Sequence, residues 1–230
     1  MENFIASFDG AMEALKAFLR QVFEPLKSFL NVFSNPIYGI ILSALIFIIL
    51  MVFSIKKTKG DFSQKIKNPK VLVVCAMLIA INVVLELFAQ DVTAFIRLSF
   101  SFVTLPVAAM AFGPVVACFV GMLQDIIGLI VRPTGAWLFV LTMNAGIAGM
   151  IAGLLLYKKE VSLLRVLISE LLIVLIVNIL LNSVGLAPTI GSGLAGILPS
   201  RIIKNILLLP LQVAVVYGIL KIIKKRVKVL

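Results

Sequence analysis

Histidine is absent from all 230 residues, which removes histidine-dependent zinc sites and Ser-His nucleophile pairs from the chemistry open to this chain. Cysteine is nearly absent: Cys75 and Cys118 both sit inside apolar runs far from each other, so neither a disulfide framework nor a thiolate metal site is indicated. No Gly-x-x-x-x-Gly-Lys-Ser/Thr segment occurs, so the chain carries no phosphate-cradling loop and is not the ATPase of a pump. Gly191-Ser192-Gly193 superficially resembles the surroundings of a nucleophile, but without histidine it reads as a loop. No cofactor is expected. Charge is also scarce, at 13% of residues, against 62% hydrophobic and a mean hydropathy of +1.18. Soluble domains are about half apolar. The chain is therefore expected to be an all-α integral membrane protein.

The charge that is present is lopsided, +11 net. The basic residues flank hydrophobic runs instead of forming a separable basic domain, which argues against nucleic acid and for topology signals and contacts to anionic lipid. Residues 1–34 place Phe4, Phe8, Met12, Leu15, Leu19, Val22, Leu26, Phe29 and Phe33 at steps of three and four, with charges on the opposite side. That spacing predicts an amphipathic helix lying on the bilayer. Residues 35–69 are read as an extra transmembrane helix, from Pro36 to Ile55, and a basic linker. Residues 70–230 hold six further spans, at about Val71–Ala89, Ser99–Phe112, Val115–Val131, Trp137–Tyr157, Leu163–Val184 and Ile197–Leu220.

Roughly two thirds of the 21 Lys and Arg fall in the Lys56–Lys70, Lys158–Arg165 and Lys221–Lys228 segments, which marks these as cytoplasmic. The C-terminus is then inside, and seven spans put the N-terminus outside. The breaks carrying Arg97 and Arg132 open to the exterior.

The stretch from Arg97 to Asn144 concentrates what the rest of the chain lacks. It is broken at Pro106, Gly113-Pro114 and Arg132-Pro133-Thr134-Gly135, and it carries Phe100, Phe102, Gln124, Asp125, Trp137 and Asn144 within an apolar pattern. Ionisable groups and interrupted helices at membrane depth belong in protein interiors or wet cavities. With Arg201 and Lys204 added, the residue types suit a planar anionic ligand: guanidinium forks for carboxylates, rings for stacking, and Gln124, Asp125 and Asn144 for a heterocycle's edge. An interfacial aromatic and basic belt is the plainer alternative. Glu86, Asn178 and Asn182 also lie within spans. Ala76 and Ala80 form a small-xxx-small pair that permits close helix approach.

Residues 70–225 resemble the substrate-binding (S) component of energy-coupling factor (ECF) vitamin transporters, the folate branch in particular. The resemblance rests on Ala76-Met-Leu-Ile-Ala80, Arg97-Leu-Ser-Phe-Ser-Phe102 with Pro106, Phe112-Gly-Pro114, Asp125-Ile-Ile-Gly128, Pro133-Thr-Gly135, and Leu198-Pro-Ser-Arg201 with Lys204-Asn205 and Pro210. It implies a six-helix core in a bacterial cell membrane that takes up its vitamin from outside without chemistry, so no enzyme is expected. It further implies that Ala76 and Ala80 face a transmembrane coupling subunit served by two cytoplasmic ATPases, which would explain the missing ATP motif. Arg97 would pair with a glutamyl carboxylate. Where folate-type members continue with a Phe-Pro-Gly-Phe-Thr-like segment, this chain reads Trp137-Leu-Phe-Val-Leu-Thr142. That difference keeps open the same machinery carrying another vitamin, with a membrane scaffold as the alternative outside transport.

Overall fold

The computed structural model describes residues 35–58, 61–93, 96–98, 100–133, 138–187 and 193–226. The helix expected over residues 1–34 lies outside them. Helix α1 (Pro36–Thr58) and the short α2 (Asp61–Lys67) precede α3 (Pro69–Leu87). A hairpin of β1 (Gln90–Thr93) and β2 (Ile96–Leu98) follows, then a 3-10 turn (Ser101–Val103) that runs into α4 (Thr104–Phe112). Next come α5 (Pro114–Val131) and α6 (Phe139–Leu156). Helix α7 (Leu163–Leu172) continues through a π-helical stretch (Ile173–Leu181) into α8 (Asn182–Leu186), and α9 (Gly193–Arg226) closes the bundle.

Six of these helical segments are long and apolar enough to cross a membrane, and Ser101–Phe112 is a shorter apolar helix. At about 1.5 Å per residue a helix of that length reaches well short of a ~30 Å hydrocarbon core. The chain is thus an all-helical multi-pass membrane protein apart from one small hairpin. That hairpin was not foreseen. It is antiparallel, pairs Gln90 with Leu98 and Asp91 with Arg97, and is irregular between Asp91 and Thr93. Val92, Thr93 and Ile96 favour extended backbone, and the two strands satisfy each other's peptide groups where the chain re-enters the bundle.

The sequence sets the helix boundaries locally. Asn68 caps α3 by accepting from the Lys70 N–H at 3.0 Å, and Pro69 occupies the first helical position. Gly113 separates α4 from α5 with φ at 91°, a conformation that disfavours a side chain, and Pro114 starts α5. The Tyr157 ring sits where a Cβ on Gly113 would point.

Helix α6 is the centre of the bundle: 72% of its spanning window is buried, against 17% for α1 and for α9. Its small residues let α5 lie almost backbone to backbone. A Cβ on Gly149 would meet the Ala117 carbonyl, and one on Gly153 would meet the Pro114 backbone.

Helix α1 packs mainly along α6, with α8 beside it. Its Leu42, Ile46, Phe47, Leu50 and Met51 pack on the cluster formed by Ile147, Met150, Val177 and Leu181. Lys57 Nζ donates to the Leu154 carbonyl at 3.2 Å. Helix α2 straps the same end of the bundle: Phe62 stacks on Phe119 with centroids 5.8 Å apart, and Lys65 donates to the Phe112 carbonyl at 3.1 Å and to the Tyr157 hydroxyl. The helices alternate in direction, so the bundle has a linker end, with α2 and Tyr157, and a hairpin end, with β1, β2 and Arg132.

Candidate functional site

A cavity of about 510 Å³ opens inside the bundle. Six helical segments and the 3-10 turn supply its walls, four of the helices through polar residues spaced mostly three or four apart. Helix α3 contributes Asn82 and Glu86, α5 contributes Gln124, Asp125, Gly128 and Arg132, and α9 contributes Arg201, Lys204, Asn205, Leu208 and Gln212. The helix from Leu163 to Leu186 adds Glu170, Ile173, Val177, Asn178 and Asn182. Such spacing puts side chains on one helix face. Ile173, Val177 and Asn178 belong to the π-helical stretch, a distortion that recurs at functional sites because it changes which side chains face inward.

Hydrogen bonds hold the lining in place. Gln124 Nε2 donates to Thr104 Oγ1 at 3.0 Å, and Thr104 Oγ1 donates to Asn82 Oδ1 at 2.9 Å, linking α5, α4 and α3. Thr142 Oγ1 donates to Asp125 Oδ2 at 2.6 Å, tying α6 to α5. Arg132 Nη1 donates to the carbonyls of Glu86 and Ala89, at 3.1 and 2.5 Å. The guanidinium thereby ties the end of α5 to the turn that follows α3, where the Glu86 carbonyl also accepts from the Ala89 N–H at 3.2 Å. Arg201 Nη1 donates to the Asn178 carbonyl at 3.1 Å, and Asn205 Nδ2 donates to the Arg201 carbonyl at 2.8 Å.

Of the residues expected at the site, the cavity brings together Phe102, Gln124, Asp125, Arg201 and Lys204. Two others lie elsewhere. Phe100 is 54% exposed and lies outside the lining, tilted against Phe102 with centroids 6.1 Å apart. Asn144 is fully buried behind the wall, where its Nδ2 donates to Asn182 Oδ1 at 3.0 Å. It positions a lining residue without being one. Arg97 lies in β2 by its backbone, but its side chain is outside the described residues, as is Trp137. Ala76 and Ala80 are exposed on the outer face of α3.

The lining also includes Asn82, Glu170 and Gln212, which the sequence did not single out, Asn205, which stood only in a motif of the resemblance, and Glu86, Arg132, Asn178 and Asn182, which were noted but not among the expected site residues. Asn82/Glu86 and Asn178/Asn182 stand four apart, and Arg201, Asn205, Leu208 and Gln212 follow a four-three-four rhythm. That polar stripe on otherwise apolar helices is the signal that identifies them.

Residues 70–220 match the family model described as ECF transporter, substrate-specific component. The folate transporter FolT of Clostridium novyi is 30% identical over 159 residues, covering 69% of this chain and 92% of the relative. The folate transporter FolT of Leuconostoc mesenteroides is 35% identical over 155 residues, covering 64% of this chain and 83% of the relative. A crystal structure of FolT bound with folic acid superposes with a TM-score of 0.62 at 32% identity, covering 66% of this chain and 93% of that one. The chain belongs to the substrate-specific components of ECF transporters, a family of transport proteins and not of enzymes.

Proposed function

We propose that this chain binds folate from outside a bacterial cell and delivers it inward together with a transmembrane coupling subunit and two cytoplasmic ATPases. The observation that carries the reading is the cavity: about 510 Å³ at membrane depth, with Arg132, Arg201 and Lys204 among its walls and Phe102 beside them. That volume lies in the ~300–1,000 Å³ range of small-molecule sites. The same lining holds the carboxyl groups of Glu86, Asp125 and Glu170, so the walls suit a ligand that carries both anionic groups for the cations and N–H donors for the carboxylates. The two folate transporter relatives and the FolT structure bound with folic acid point to folate among such ligands. Arg97, with Arg201 and Lys204, takes the glutamyl carboxylates. Phe102 packs a ring, and Phe100 and Trp137 are the further aromatic groups assigned to it. Gln124 and Asp125 meet polar ring atoms, and Asn144 holds Asn182 in position.

The hairpin end faces outward in this reading. The linker end gathers Lys56, Lys57, Lys65, Lys67, Lys158, Lys159, Lys221 and Lys224, the distribution of a cytoplasmic face, so the C-terminus is inside and the N-terminus outside. Residues 70–230 form the binding core, with residues 1–34 as an interfacial helix and 35–69 as an added span and linker. Equilibrium binding to the detergent-purified chain tests the substrate, with riboflavin, thiamine, biotin and pantothenate as comparisons. Folic acid should bind at least about a hundredfold more tightly than any of them, a gap of roughly 2.7 kcal/mol. A preference for another of these vitamins would replace folate, and binding to none by folded protein would defeat the reading.

The coupling subunit docks on α3. Ala76 and Ala80 are exposed there among Leu72, Val73, Met77, Ile81 and Val84, whereas α1 packs mainly along α6. Small residues allow a partner helix to approach closely, so Ala76→Trp and Ala80→Trp should abolish co-purification with the coupling subunit. Folic acid affinity should stay within about twofold, because both side chains point away from the cavity. Intact co-purification of the double variant would move the docking face elsewhere.

A further inference from the structure

Glu170 is the most isolated polar side chain in the cavity wall. It is 3% exposed, its Oε1 has no hydrogen-bond partner, and among the described residues no cation pairs with it. Buried carboxyl oxygens are almost always satisfied; Oε1 is sealed off without a partner, while the residue lines the cavity, so its other oxygen is the one open to donors that a ligand brings. Glu170 is also removed from the cationic part of the cavity. Arg201 bonds the Asn178 carbonyl, and Asn178 lies two turns beyond Glu170 along the same helix, on the order of 10 Å. Val166, one turn before Glu170, packs with Val213 and Val216 in one cluster, which sets Gln212 at Glu170's level. The cavity therefore has a cationic region toward the hairpin end and an acceptor region, Glu170 with Gln212, toward the linker end.

We infer that Glu170 determines specificity by accepting hydrogen bonds from the amino and ring N–H groups of a 2-aminopyrimidine-type edge, while the ligand's anionic tail lies at Arg201 and Lys204. The inference rests on the folate reading and adds to it a ligand orientation and a residue that reads the ring. A 2-amino-4-oxo pyrimidine edge presents adjacent N–H donors, which the carboxylate oxygen open to the cavity can accept. A ligand of the same charge without those donors leaves Glu170 unsatisfied, and discrimination of this kind is strong because the wrong ligand strands a buried polar group.

The test compares folic acid with its 2-desamino-2-methyl analogue by calorimetric titration of the full-length chain and of Glu170→Gln. The wild-type chain should bind the analogue about ten- to a hundredfold more weakly than folic acid. Glu170→Gln keeps one acceptor but turns an NH₂ toward the ligand's donors. It should lose a similar factor for folic acid and distinguish the two ligands by less than about threefold. Undiminished discrimination by Glu170→Gln, or equal binding of both ligands by the wild-type chain, overturns the assignment of Glu170 and leaves the folate reading intact. Failure of folded wild-type chain to bind either ligand removes the folate reading and this inference with it. If Glu170→Gln is not recovered folded, Glu170→Asp, which withdraws the carboxylate by one methylene, takes its place, and undiminished discrimination by Glu170→Asp overturns the assignment.

Discussion

Gly153→Val should leave little or no monodisperse protein after detergent extraction, and Gly153→Ala should lower the apparent Tm by roughly 5–10 °C, the effect of about 2–3 kcal/mol in a chain of this size. A Cβ at Gly153 has nowhere to go. It would land on the Cα, N and Cβ atoms of Pro114, the first residue of α5, and Gly149 meets the Ala117 carbonyl one turn earlier. These neighbours are largely backbone, so no side-chain rotamer change relieves the overlap and the two helices must move apart. They form the most extensive helix pair in the bundle, and their separation would also displace Gln124 and Asp125 on α5 from the cavity wall. The control is Gly218→Ala in α9, where a Cβ meets nothing within 4 Å. There alanine's better helix propensity should leave stability unchanged or raise it by up to about 1 kcal/mol. Thermal unfolding followed by size-exclusion chromatography reads all three. A Gly153→Ala variant as stable as the wild type would mean that α5 and α6 do not approach this closely.

Much of the fold was legible because membrane spans follow from length and hydropathy alone. The extra span before the core, the shortness of the segment ending at Phe112 and the break at Gly113-Pro114 all stood in the sequence and recur in the structure. The hairpin was hidden because its strands are only four and three residues long, too short for alternation to be read against an apolar background. For the site, Gln124 and Asp125 stood out as polar groups deep within a span and Arg201 and Lys204 as outward basic residues, and all four line the cavity. Phe100 and Phe102 are two residues apart, and sequence alone did not say which of them the turn would send inward.

Glu170 escaped for a different reason. It falls only seven residues after the start of α7, near enough to a basic loop to pass for an interfacial carboxylate. Only the packing of α9 across that face, with Val166 against Val213 and Val216, encloses it. Asn144 shows the converse: depth in a span was read correctly, but depth does not distinguish a lining group from one that holds a lining group in place.

Arg201→Ala is expected to weaken folic acid binding about ten- to a hundredfold, the ~1.5–3 kcal/mol of a hydrogen bond to a charged group. Arg201 lines the cavity, and only Nη1 is bonded to the Asn178 carbonyl, so the guanidinium keeps further N–H donors for a ligand. Two explanations of a loss compete. If Arg201 pairs with the glutamyl tail, the penalty depends on the tail's charge. If it chiefly pins the π-helical stretch through Asn178, the penalty falls on every ligand alike. The diamide of folic acid's glutamyl tail separates them, since it keeps the length and removes the carboxylates. The wild-type chain should prefer folic acid to the diamide by about tenfold or more, Arg201→Ala should lose most of that preference, and Arg201→Lys should restore part of it, because a point charge cannot reproduce the planar fork. Equal losses for both ligands in Arg201→Ala would make Arg201 a brace for the helix and transfer the anion-binding role to Lys204 and the hairpin.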